Sequence, residues 1–156
     1  MGFYVADCAQ SNYNRTDISL ASSLNLDYLQ ALSADYQPPS QGRRTLWASI
    51  NNSAVRLMLE QTGYTSVAFS TGFAWSEVDN SDVFLSPTSL WSSLSSFEVL
   101  LLRTTPLRYL EENGMINLAE IDGQRYRERT LFVFDEMDDL ARMTGPKFVF
   151  IHIISP

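Results

Sequence analysis

A polar stretch, residues 11–19, holds the residue types best suited to chemistry in this chain. Arg15 precedes Thr16, and Thr16 and Asp17 are residue types that begin helices. A buried strand is predicted just before the stretch, and parallel α/β sheets bind ligands at such strand ends. Free N–H groups at a helix start favour an anion, and a hydroxyl beside an arginine there could attack a phosphoryl group. The alternative is a structural cap that only satisfies those N–H groups.

Four other features could take part in chemistry. Trp75 lies in a long polar loop, residues 71–87, and is the aromatic residue best placed to meet a ligand, with a packing role as the alternative. His152, the single histidine, lies in an apolar run, which favours a packing or supporting role over metal ligation. Cys8, the single cysteine, is predicted to be buried in the core. A cluster of acidic residues cannot share one helix face, which favours a solvated surface over a metal site: Asp135, Glu136, Asp138 and Asp139.

The elements that must position these residues follow from the apolar pattern. Three apolar runs predict buried strands near residues 3–7, 65–70 and 148–154. Helical spacing predicts helices between them, over residues 16–32, 45–62, 89–103 and 125–142. The inward face of the last helix is predicted to carry Leu131, Phe134, Met137 and Ala141. This order predicts an α/β fold in three layers, with a mostly parallel sheet and helices on both faces.

Composition limits the class of protein. The chain has 156 residues, of which 45% are hydrophobic and 19% charged, which is typical of a globular domain. The net charge of −7 and the shortness of the basic clusters argue against a nucleic-acid partner. No apolar run approaches the roughly 18–20 residues that span a bilayer, so the chain itself is expected to be soluble.

Several segments, in order, resemble one known family. Residues 14–19 and 22–25 are similar to the nucleophile segment of the lipoteichoic-acid-synthase and sulfatase-like branch of the alkaline phosphatase superfamily, where a basic residue precedes a helix-opening Thr. Residues 63–69 resemble that family's Gly-Tyr strand, and residues 73–75 lie near its substrate-loop Trp. Residues 147–156 resemble the strand before its His-Pro stretch.

The resemblance implies an activity and its parts. Thr16 would be the nucleophile and one metal ligand, forming a covalent phospho- or sulfo-enzyme intermediate that passes its group to water or an alcohol. Asn14, Arg15 and Trp75 would contact the substrate, a small-molecule or lipid-linked phosphate or sulfate ester. The parent enzyme would use a divalent metal (Mn, Zn, Mg or Ca) and be extracytoplasmic and membrane-anchored. This chain would be one α/β segment, residues 1–156, of a larger catalytic domain, and would bind no metal alone.

The family pattern is incomplete in this chain. The other metal ligands would lie upstream of residue 1 and downstream of residue 156. Ser70 stands where lipoteichoic acid synthases place a His, and Glu77 or Val78 stands near their loop Arg. Two other functions therefore stay open: a catalytically silent sulfatase-like domain used for binding or scaffolding, and an unrelated flavodoxin-like binding module.

Overall fold

The computed structural model describes residues 7–8, 10–32, 43–89, 96–115 and 118–153. These form two compact units, residues 1–57 and 58–156, each described by itself. The strand predicted over residues 3–7 lies, except for Asp7, outside the described residues. Asp7 and Cys8 form a turn in which Cys8 is exposed, so the prediction of a buried Cys8 is wrong. A turn at the surface gives that thiol nothing to pack against.

The first unit contains four helices in its described part. They are α1 (Thr16–Asn25), α2 (Leu29–Leu32), α3 (Arg43–Asn51) and the beginning of α4 (Ala54–Gln61). The helix predicted over residues 16–32 is divided, because Leu26 takes the left-handed conformation with φ of 55° and closes α1. Helical spacing predicts one apolar face that includes Tyr28 and Ala31, but both residues are exposed.

The helix predicted over residues 45–62 is also divided, between α3 and α4. Helical spacing predicts an inward face with Ile50, Ala54, Leu57 and Met58; Ile50 is buried, but the prediction is wrong for the other three, which are exposed. Asn25 accounts for the break: its amide donates to the Ser49 carbonyl at 2.9 Å and accepts from the Ala54 N–H at 3.0 Å. This one side chain from α1 joins the end of α3 to the start of α4.

The second unit is built on a three-stranded parallel sheet. The strands are β1 (Thr65–Phe69), β2 (Val83–Leu85) and β3 (Lys147–Phe150), in the order β2-β1-β3. Val67 is aligned with Val83 on one side and Val149 on the other. The predicted strand over 65–70 is confirmed, and the one over 148–154 is confirmed up to residue 150. The central strand is buried over residues 66–69, as expected for a parallel strand covered on both faces.

Strand β2 was not predicted, because it is three residues long and lies inside the polar loop 71–87. Its alignment depends on Asp82, whose Oδ2 accepts from the Ser66 N–H at 2.8 Å and the Ser66 hydroxyl at 2.9 Å. The Asp82 N–H donates in turn to the Ser66 hydroxyl. A polar side chain therefore fixes the register where the apolar pattern is too short to do so.

Four more helices complete the described part of the second unit. They are α5 (Ser96–Thr104), α6 (Leu107–Glu112), α7 (Leu118–Asp135) and α8 (Met137–Arg142). Val133 of α7 and Leu140 of α8 pack on Val67 and Phe69 of the sheet, and this cluster is the core of the unit. The acidic residues at the α7–α8 junction are largely exposed, which confirms the predicted solvated surface.

Candidate functional site

Thr16, the predicted nucleophile, lies at the start of a helix and at the surface. Thr16 is the first residue of α1 and is exposed, and Arg15 before it has extended backbone geometry, with φ of −121° and ψ of 135°. Asn14, in the bend before Arg15, is exposed too. The predicted helix start is thus confirmed at Thr16. Its hydroxyl lies at the helix end where N–H groups lack intrahelical partners.

The positive charge of Arg15, beside Thr16, is paired with a carboxylate two residues along the chain. The Arg15 guanidinium donates to the Asp17 carboxylate, with Nη2–Oδ2 at 2.5 Å and Nε–Oδ1 at 3.2 Å. The same carboxylate accepts from the Ile18 N–H at 3.0 Å. Asp17 therefore satisfies part of the helix start, and the arginine is held against that end of the helix.

A chain of hydroxyl and amide groups holds the segment before Thr16 against α1. Asn12 donates through Nδ2 to the Ser22 hydroxyl at 2.8 Å and accepts through Oδ1 from the Ser19 hydroxyl at 2.7 Å. The Ser11 hydroxyl lies 2.8 Å from that of Ser19. These contacts fix the direction in which the chain enters the helix. Sequence reasoning missed them, although serines at positions 19 and 22 share one helix face.

In the second unit, the loop that carries Trp75 leaves the carboxyl end of β1 and folds around one carboxylate. Glu77 accepts through Oε1 from the Ser70 hydroxyl at 2.9 Å and the Gly72 N–H at 2.8 Å, and through Oε2 from the Thr71 N–H at 3.1 Å. The buried Ser76 hydroxyl bonds that of Thr71 at 2.8 Å. The loop therefore has its own polar core, which residue-type patterns do not show.

Two arginines of α7 are buried, and one of them, Arg129, lies against this loop. Arg125 is 2% and Arg129 is 9% exposed, although arginine is mostly a surface residue. The Arg129 guanidinium lies against the backbone of Gly72, where a side-chain Cβ would come within 2.4 Å of Nη1 and 2.5 Å of Cζ. Gly72 also has a positive φ of 78°. Only glycine suits both the conformation and the contact.

Aromatic rings close the loop against neighbouring elements. Phe73 stacks on Tyr126 of α7 with ring centroids 6.2 Å apart. Trp75 is half-buried and meets the His152 ring edge to face, with ring centroids 5.5 Å apart. His152 lies two residues beyond the end of β3, rather than in mid-strand as the apolar run indicated. The loop, α7 and the segment after β3 thus meet at the carboxyl edge of the sheet.

The protein environment lowers the pKa of two basic groups near this loop, Arg129 and His152. Burial, together with repulsion from Arg125, lowers the pKa of the Arg129 guanidinium, and attraction from Glu77, Tyr126 and Glu128 offsets only part of this. Partial burial lowers the pKa of the His152 imidazole below its ordinary value. Arginine nevertheless stays charged at neutral pH, whereas His152 is held in its neutral form.

The predicted inward face of the last helix is wrong. Leu131 and Phe134 are 48% and 63% exposed, and Met137 and Ala141 are exposed as well. The face that meets the sheet and loop instead carries Arg125, Tyr126, Arg129 and Val133. The spacing of four residues between Arg125, Arg129 and Val133 is helical, but the apolar pattern excludes arginines from the core. The feature of the sequence that could have indicated this face is the charged and aromatic cluster over residues 125–129.

Comparisons with known proteins find no relative of this chain. No family model, no curated protein and no solved structure matches it. Among the described residues, no three His, Cys, Asp or Glu side chains come together in a way that could hold a metal ion. In the same part of the chain, no helix combines the length and apolar character needed to cross a membrane.

Proposed function

We propose that this chain is a segment of a metal-dependent phospho- or sulfo-ester hydrolase or transferase in which Thr16 is the nucleophile. The observation that carries the proposal is the position of Thr16: exposed, first in α1, and directly after Arg15. The family resemblance of residues 14–19 points to the same hydroxyl. Thr16 Oγ1 would attack phosphorus or sulfur, the ester oxygen would leave, and water or an alcohol would then take the group from the threonine.

Arg15 is the proposed contact for the anionic group of the substrate. Its side chain is 49% exposed, and an ion pair at such a surface contributes only about 0–1 kcal/mol. An arriving phosphate or sulfate can therefore replace Asp17 as the partner of the guanidinium at little cost. Asn14, exposed beside it, would contribute a further polar contact.

The divalent metal of the proposed activity would lower the pKa of the attacking hydroxyl and neutralise developing charge. The described residues do not form a set of ligands that fits such an ion. Thr16 is the one ligand proposed here, and the others belong to the rest of the catalytic domain. Consistent with this proposal, the chain would form part of a three-layer, alkaline-phosphatase-like domain in an extracytoplasmic, membrane-anchored protein.

The test is a nucleophile substitution in the full-length protein to which this segment is proposed to belong. Thr16→Ala should reduce hydrolysis of p-nitrophenyl phosphate or sulfate esters, with added Mn²⁺, Zn²⁺ or Mg²⁺, by about 10⁴-fold or more. Thr16→Ser should retain part of the activity because it keeps a hydroxyl. Ser23→Ala, at an exposed position of the same helix, is the matched control and should leave the rate unchanged.

Two outcomes would contradict the proposal. Wild-type turnover by Thr16→Ala would show that another group is the nucleophile. Turnover by the isolated 156-residue chain would show that the site is complete without further ligands. Absence of turnover in the wild-type full-length protein, with every metal and ester, would favour the silent binding domain instead.

A further inference from the structure

A cleft in the first unit has the size of a small-molecule site. It lies where α1 meets α2, and its volume of about 330 Å³ is at the lower end of the roughly 300–1,000 Å³ that ligand pockets occupy. Its lining comes from the segment before α1, the last turns of α1, and the connection Leu26-Asp27-Tyr28 between the two helices. All of these belong to the first unit, so one compact body forms the whole cleft.

Polar bonds at the base of the cleft hold its walls in place. Ser22, which is 4% exposed, accepts through its hydroxyl from Asn12 Nδ2 at 2.8 Å and donates to the Asp27 carbonyl at 2.5 Å. The Asp27 N–H donates in turn to the Ser22 carbonyl at 3.2 Å. One buried serine therefore joins the segment before α1 to the connection after it, and the shape of the cleft is set before a ligand arrives.

Leu26 is an outlier in both conformation and exposure. In the described part of the chain it is the one residue other than glycine with a positive φ, with φ of 55° and ψ of 29°. Glycine or asparagine usually takes this left-handed position after a helix, because a larger side chain is strained there. Leu26 is nevertheless 75% exposed, so packing does not repay the strain. A strained apolar side chain at the edge of a cleft indicates a role in binding.

The groups beside Leu26 favour a cation with an apolar body. Tyr28 is 66% exposed, and its ring offers a face that attracts cations. The Asp27 carboxylate accepts from the Tyr28 N–H through Oδ1 at 2.8 Å, which leaves Oδ2 without a partner among the described residues. No basic side chain lies in the last turn of α1 or among the described residues that line the cleft. The carboxyl end of α1 adds partial negative charge.

We propose that the cleft between α1 and α2 binds a small organic ammonium ion with a short alkyl chain. The ammonium group donates to Asp27 Oδ2, and the alkyl chain packs on Leu26 and against the Tyr28 ring. A primary ammonium fits better than a quaternary one, because it has N–H groups to donate and because a single aromatic ring does not form a cage. The proposal is independent of Thr16, which lies at the opposite end of α1.

The experiment is a titration of the isotope-labelled 156-residue chain with n-butylammonium chloride, followed by NMR at the Leu26 methyl and Tyr28 ring signals. Sodium chloride at matched ionic strength is the control for salt. We expect saturable shifts with butylammonium and none with sodium. 1-Butanol, which has the same chain without the charge, should bind about fivefold or more weakly, because it lacks the charge-assisted bond. Tetramethylammonium should also bind more weakly than butylammonium, because it has no N–H to donate.

Variants assign the effect to the cleft. Asp27→Asn should weaken butylammonium binding about fivefold or more, because the amide carries no charge. Asp7→Asn makes the same change in net charge at an exposed position outside the lining, and should bind like the wild type. Leu26→Gly should weaken binding and raise the urea midpoint of unfolding, because glycine relieves the left-handed strain. A residue that served packing alone would not change binding and stability in opposite directions.

Two results with the wild type alone would overturn the proposal: equal responses of the Leu26 and Tyr28 signals to butylammonium and sodium chloride, or equal affinity for 1-butanol and butylammonium. Tighter binding of tetramethylammonium would overturn the assignment of a primary ammonium. Equal affinity in folded Asp27→Asn and the wild type would exclude the ion pair. Thr16→Ala should bind butylammonium normally, so failure of the catalytic proposal and failure of this one are distinguishable.

Discussion

Two arginines, one in each unit, show how differently the same side chain can be used. Arg15 is 49% exposed and pairs with Asp17, two residues along the chain. Arg129 is 9% exposed, and lies against Gly72 and in the field of Glu77, both more than fifty residues away in sequence. The Arg15–Asp17 ion pair is local in sequence, and another anion can replace the carboxylate. The position of Arg129 is set by tertiary structure and cannot change without disturbing the loop that carries Trp75.

The difference predicts opposite roles in binding. An exposed guanidinium can exchange its carboxylate for a ligand, but it must be ordered when the ligand arrives. A buried guanidinium is already ordered in the folded protein, so its side-chain entropy is lost during folding and not on binding. Arg15 therefore suits a transient contact with a ligand, and Arg129 suits a fixed structural contact with the loop that carries Trp75.

The largest expected contrast comes from one substitution made at both positions. Arg129→Gln should lower the free energy of unfolding by about 3–5 kcal/mol, because it breaks up a buried set of charges around Glu77. Arg15→Gln should lower it by about 0–1 kcal/mol. Urea unfolding of both variants at neutral pH measures the contrast. Equal effects would mean that the Arg129 guanidinium is as replaceable as a surface charge.

A smaller contrast is expected between two glycines that share a positive φ. Gly63 has φ of 89° with open space where a Cβ would lie, so Gly63→Ala should cost about 1–2 kcal/mol of backbone strain. Gly72→Ala should cost about 1–3 kcal/mol more, because its methyl group would displace Arg129. Thermal or urea unfolding compares the two directly. A Gly72→Ala variant no less stable than Gly63→Ala would show that the guanidinium moves aside freely.

The smallest effect concerns pH. The pKa of His152 is lowered in the folded state, so below about pH 6.5 the unfolded chain binds a proton that the folded chain resists. The stability contributed by His152 is therefore present above that pH, and falls as pH drops towards the folded-state pKa. Unfolding experiments between about pH 5 and 8 should show this loss in the wild type, relative to His152→Gln. A wild type that became more stable than His152→Gln as the pH fell over this range would contradict the prediction.

The apolar sequence pattern predicts the framework of the sheet but not all of it. Strands β1 and β3 are found because each lies in a nearly continuous apolar run, which is buried over residues 66–69 in β1 and half-buried to buried in β3. Strand β2 is missed because its place is set by the bonds between Asp82 and Ser66, sixteen residues apart. The helix breaks at Leu26 and near Ser53 are missed for a similar reason, since Asn25 and a left-handed Leu26 create them.

The candidate sites differ in the same way. Thr16 is predictable, because residue types that begin helices act within a few residues of themselves. The burial of Arg129 is not predictable, because hydrophobic periodicity assigns Leu131 and Phe134 to the core and arginine to solvent. Burial of Arg129 depends on a carboxylate and a glycine from a distant loop. A pattern of single-residue preferences does not contain that pairing.

Lys147 at the start of β3 has a consequence for the order of folding. Its ammonium group donates to the carbonyls of Leu140 at 2.7 Å and Met143 at 2.8 Å, which join the end of α8 to the first residue of the strand. The loop that these bonds close is four to seven residues long, so its closure loses little chain entropy. Helix α8 and strand β3 can therefore meet before any partner strand is present, and a preformed helix–strand corner can serve as the template on which β1 docks.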